Sequence, residues 1–205
     1  MLTPINELGD EKAQDELLTK LQGYYDEARE ILPNLPENLQ IYFDDFCIVP
    51  EFGCGGYAYS PIIVTIAYDL DFADKDFQQK CLRDTMFHES YHIAQGYTGE
   101  MGGISPIEVA VYEGAATVFE RDIAQSKPEY GSYDEEKVKG WLETIKTLPD
   151  AYDWYAWKVY DEADKESYKS YKVGVYIIDQ AIKKSGKTIV ELNGLSAKEI
   201  LALLN

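Results

Sequence analysis

Both histidines of this 205-residue chain fall in one pentapeptide, His88-Glu89-Ser90-Tyr91-His92, four residues apart and with a glutamate directly after the first. Four residues make just over one helical turn, so on a helix the two imidazoles face the same way and can aim a nitrogen at a common point. Neutral imidazole binds Zn²⁺ at roughly 2.0–2.1 Å, and a catalytic zinc keeps three protein ligands and leaves one position to water. Glu89 lies about 100° round the helix from His88. There it stands beside the ion and can take a proton from the water. The pattern therefore reads as metal-assisted peptide hydrolysis, with His88 and His92 as ligands and Glu89 as general base.

A third ligand has to come from elsewhere, and with no further histidine it must be a carboxylate or a thiolate. Cys47, Cys54 and Cys81 are odd in number and lack metal-ligand spacing, so reduced, buried thiols are the expectation. Glu113 follows His92 by 21 residues. That is far enough for one helix to end, a loop to turn back and a second helix to pass alongside. Glu100 and Glu108 compete with it. Glu100 sits in a glycine-rich loop and Glu108 fits a capping box, which leaves Glu113 the best-placed candidate.

Several elements must position these residues. Apolar residues from Leu17 to Ile31 recur at helical spacing and stop at Pro33, predicting a first helix over about 11–32. Leu39 to Val49 and Tyr57 to Tyr68 are rich in Ile, Val, Tyr and Phe and flank a glycine-rich segment, predicting two antiparallel strands, with an edge or bulge at Pro61. The histidine helix should start after Asp74 or Asp76 and end at Gly96. Ser105, Pro106 and Glu108 form a capping box that opens the next helix, and Gly114-Ala115-Ala116 would let that helix approach the histidine helix closely.

Apolar stripes from Val138 to Leu148 and from Tyr168 to Ile182 predict two more helices. Capping boxes at Thr188 and Ser196 open short terminal ones. The aromatic run Tyr152, Trp154, Tyr155, Trp157 and Tyr160 reads first as core, and second as the lining of a cleft. Together these make a mainly helical α+β chain, read as a single domain over 1–205: an N-terminal helix in 1–36, sheet and histidine helix in 37–98, and a helical part with the third ligand in 99–205.

A formal charge of −18 argues against nucleic acid and anionic membrane as partners, because an acidic surface repels both. The N-terminus carries neither a basic n-region nor an apolar h-region, and no apolar run is long enough to insert in a membrane. Cytoplasmic residence is the expectation, with export after loss of a leader as the alternative.

His88-Glu89-Ser90-Tyr91-His92, then Glu113-Gly114-Ala115-Ala116 with Phe119-Glu120, and later Tyr171-Lys172-Val173-Gly174 with Ile177 resemble the gluzincin metallopeptidases, in particular the bacterial group of predicted zinc-dependent proteases. The resemblance runs over about 39–204. It implies that His88, His92 and Glu113 hold Zn²⁺, that Glu89 is the general base, that Tyr171 is the oxyanion donor, and that Glu120 orients a histidine. It also implies a zincin-like fold with a small N-terminal antiparallel sheet above the histidine helix. The edge of that sheet, expected at Tyr57 to Tyr68, would hold an extended peptide or protein substrate. Two readings from other classes compete: a metal-stabilised binding protein without catalysis, and a structural helical domain without metal.

Overall fold

The computed structural model describes residues 1–99 and 101–204. Contacts within the chain divide it into two compact units, Met1–Met101 and Gly102–Asn205.

The first unit combines a four-stranded sheet with two long helices. Strand β1 (Leu2–Pro4) leads to helix α1 (Glu11–Ile31), whose start is capped by Asp10 accepting from the Ala13 N–H at 3.0 Å. Leu17, Leu21, Tyr25 and Ala28 form its buried stripe. Strands β2 (Leu39–Phe43), β3 (Cys54–Ser60) and β4 (Ile63–Tyr68) follow, in the sheet order β1-β2-β4-β3.

The sheet is mixed rather than antiparallel. β1 pairs with β2 and β2 with β4 in parallel, and only the β3–β4 hairpin is antiparallel. The 21-residue α1 is a crossover that brings the chain back in its original direction, which makes β1 and β2 parallel. Strand β1 has three residues, too few to show a period. The run Tyr57 to Tyr68 breaks at Pro61 into two strands of different character. β3 is the edge, while β4 lies between β2 and β3 with Val64, Thr65, Ile66 and Ala67 all buried, as in a strand covered on both faces.

Helix α2 (Lys75–Gln95) carries the histidines. Asp74 caps it through the Phe77 N–H at 3.0 Å, and Gly96 ends it in the left-handed conformation at φ 79°. From Met86 to Ile93 every residue is buried. A helix buried all round is ordinarily apolar, so His88, Glu89, Ser90 and His92 in that turn stand out.

The second unit is built around helices α3 (Pro106–Ile123) and α6 (Lys169–Ser185), with α4 (Glu135–Ile145), the short α5 (Trp154–Lys158), a hairpin of β5 (Tyr160–Asp161) and β6 (Glu166–Ser167), and terminal α7 (Ile189–Leu192) and α8 (Ala197–Ala202). Of the small residues of α3, Gly114 serves a crossing with α6. A Cβ on Gly114 would lie 2.1 Å from the Gly174 carbonyl carbon, and one on Gly174 would lie 1.8 Å from the Ala110 oxygen. From Ala110 to Glu120 α3 is buried throughout. Of the aromatic run, Trp157 is buried, whereas Trp154 and Tyr155 are exposed by more than half, at 58% and 53%. The run is therefore not one core cluster. Among the described residues no helix is long and apolar enough to cross a membrane.

Candidate metal centre

In the first unit, α2 brings the two histidines together. The His88 and His92 Nε2 atoms are 3.1 Å apart, with the rings edge to face at a centroid distance of 4.7 Å. Both side chains are buried, at 8% and 4% exposure. Two nitrogens on one tetrahedral zinc, each at roughly 2.0–2.1 Å, stand about 3.3 Å apart. The observed pair fits such an ion to within a few tenths of an ångström, and imidazole nitrogen suits zinc among the transition metals.

Glu89 is held by the sheet. Its Oε2 accepts the Ala58 N–H at 2.7 Å, on the edge strand β3. The close approach depends on Gly56, where a Cβ would sit 2.7 Å from the Glu89 Cγ and 2.6 Å from the Thr85 Cγ2. The other backbone group of Ala58, its carbonyl, accepts the Gly99 N–H at 2.9 Å. Gly99 also leaves room for the Tyr57 phenol, which stands where its Cβ would be, and Tyr57 packs edge to face on Phe46 at 5.5 Å. At Ala58, then, the edge of the sheet is used by the protein itself.

The three cysteines are free thiols. Cys54 is buried, Cys47 and Cys81 only partly so. Burial pushes Cys47 and Cys54 up to about 12, with the charge of Glu89 adding to the effect at Cys47 and Cys81 adding at Cys54.

In the second unit, the carboxylates are held by other side chains, between six and 45 residues on. Glu113 is buried at mid-helix in α3, and its Oε1 accepts from the Lys158 ammonium at 2.8 Å. Arg121, a conceivable partner for Glu113, instead pairs with Asp122 and Asp179. Glu120 accepts from Ser126 Oγ at 2.8 Å and from the Tyr130 phenol at 3.2 Å. The Tyr130 ring in turn packs on Tyr168 and Tyr171, at 5.5 and 5.3 Å. Tyr171 stands in the first turn of α6.

Of the competitors for the third ligand, Glu108 is taken by its cap. The Ser105 N–H and hydroxyl both donate to it, at 2.9 and 2.6 Å, and these bonds hold its carboxyl below the usual range. Glu100 lies outside the described residues. Lys158, Tyr130, Ser126 and the Gly56–Ala58 stretch carry no motif. A faint signal existed for Lys158, the only basic residue in an aromatic run from Tyr152 to Tyr160.

A family model described as "Predicted Zn-dependent protease (DUF2268)" matches residues 31–202. No curated protein and no solved structure matches the chain.

Proposed function

The chain belongs to this family of predicted Zn-dependent proteases, and from that premise we propose that it is a gluzincin-type zinc peptidase with a zincin-like fold, whose ion is held by His88, His92 and Glu113. Two imidazole nitrogens and one carboxylate oxygen, all from buried residues, are a donor set that could hold a metal ion. The observation that carries the reading is the 3.1 Å separation of the two Nε2 atoms in a fully buried turn, with Glu89 between them in sequence.

Zinc, when bound, polarises the scissile carbonyl and acidifies the attacking water. The rest falls to the chain. Glu89 takes the proton of the water and passes it to the leaving amine, a role generally worth about 10²–10⁴-fold in rate. The Ala58 N–H holds Oε2 of that carboxylate at 2.7 Å, so the side chain need not be ordered during the reaction. Tyr171 donates its hydroxyl to the oxyanion. The substrate is an extended peptide or protein segment that lies along the edge strand β3, and any pairing at Ala58 competes with Glu89 for its N–H and with Gly99 for its carbonyl.

Glu89→Gln tests the assignment because it keeps shape and hydrogen bonding but cannot accept the proton. The variant is expected to retain zinc and to lose peptide hydrolysis by at least about 10²-fold. Normal turnover by this variant would remove the glutamate from the mechanism.

A further inference from the structure

We propose that Lys158 is a positioning residue for Glu113: its ammonium fixes the rotation of the carboxylate, so that one oxygen is presented to zinc while the other is held by the protein. The inference rests on the reading of Glu113 as the third ligand and adds to it the group that makes Glu113 competent.

The backbone at Glu113 is tightly packed. Gly114 is pressed against the Gly174 backbone, and the Thr117 hydroxyl donates to the Glu113 carbonyl at 2.8 Å. The side chain is a different matter, since the terminal torsion of a glutamate is broad and roughly two-fold. A ligand that must meet an ion within a few tenths of an ångström needs that torsion set. The charge-assisted bond from Lys158 Nζ to Oε1, at 2.8 Å, sets it. A carboxylate has two oxygens with about four acceptor sites, so an ammonium on Oε1 leaves it able to serve a metal as well.

Lys158 is itself held at both ends of an element too short to be stable alone. Helix α5 has five residues, well under the dozen or so an isolated helix needs. At its start Asp153 accepts the Ala156 N–H at 3.1 Å. At its end the Val159 N–H donates to Tyr155 at 2.8 Å, and the Val159 carbonyl accepts from Tyr168 at 3.0 Å, beside the β5–β6 hairpin. In between, Trp157 is buried with the Lys169 ammonium over its ring at 4.6 Å. Lys169 is buried and paired with Asp161 and, at 2.8 Å, with Asp164. One lysine thus anchors the platform from which the other reaches Glu113.

Two roles for Lys158 predict opposite signs. An ammonium that only compensates the buried charge of Glu113 also repels zinc, so its removal would tighten metal binding. An ammonium that positions the ligand weakens binding when removed, and outer partners of metal ligands are typically worth about 10–100-fold in affinity. The test is zinc affinity of the full chain by competition with a chromophoric chelator, for wild type, K158M, K158R, E113A and E113A/K158M, with the unfolding midpoint of the zinc-free proteins as a fold control.

K158M is expected to bind zinc about 10–100-fold more weakly, and K158R to recover most of that loss. In the E113A background K158M should cause no further loss, since both substitutions remove one interaction. Wild-type or tighter affinity for K158M, or an equal loss in both backgrounds, would overturn the proposal while leaving Glu113 as a ligand. Wild-type affinity for E113A would overturn the ligand reading and this inference with it. If K158M does not fold, K158A is read in its place by the same criteria.

Discussion

Helices α2 and α3 both bury a polar turn, yet they secure it by different means. On α2 both histidines and Glu89 come from one pentapeptide, and the Glu89 carboxylate is held by a backbone group, the Ala58 N–H. On α3 the carboxylates of Glu113 and Glu120 are held by side chains up to 45 residues away, from Lys158, Ser126 and Tyr130. A main-chain partner depends little on which residue supplies it, whereas a side-chain partner disappears with a single substitution. The α2 half should therefore be sensitive to space and the α3 half to the identity of remote residues.

The largest effect that sharpens this contrast is expected at Tyr171, in the second unit. Tyr171→Phe removes only a hydroxyl and should lower kcat by roughly 10²–10³-fold with zinc and fold retained. An unchanged kcat would reduce Tyr171 to a packing partner of Tyr130 and shift the oxyanion role to another donor. Next comes Gly56→Ala, which leaves every site residue intact. Its new methyl would meet the Glu89 Cγ at 2.7 Å, and a displacement on the order of 1 Å costs about 10²-fold in rate. Steady-state kinetics with zinc content measured in parallel would separate misplacement of Glu89 from loss of metal. Full activity would show that the carboxylate does not need its seat on β3.

The smallest effect concerns the start of α3. Glu108 is held below the usual carboxylate range by its bonds to Ser105, so its contribution to stability is present above about pH 4.5 and fades as pH falls through the lowered value. Glu108→Gln should flatten the acid limb of the stability profile by less than about 1 kcal/mol, because the cap is partly screened by solvent. Urea unfolding between pH 6 and pH 3 measures it, and an unaltered slope would contradict the assignment.

What the sequence disclosed follows the same division. Asp74 and Gly96 mark the ends of α2, and Ser105 with Pro106 marks the start of α3, because caps and breakers act over three or four residues. The pentapeptide is legible for the same reason. The parallel pairing of β1 with β2 is not, since it depends on where α1 delivers the chain. The close crossing of Gly114 with Gly174 was readable as two small residues but not as a pair, and α3 turns that face to α6. Lys158 left only a faint mark: a lysine in an aromatic run looks like a solvated charge until a helix 45 residues earlier in sequence places a buried carboxylate beside it.

Whether zinc is held by two imidazoles and a carboxylate is tested most directly by X-ray absorption at the zinc K edge of the reconstituted protein. The expected result is one zinc per chain with a first shell of nitrogen and oxygen alone at roughly 2.0–2.1 Å, and outer-shell scattering from two imidazole rings that drops to one in His92→Ala. A sulfur ligand at about 2.3 Å, or a spectrum unchanged in His92→Ala, would contradict it.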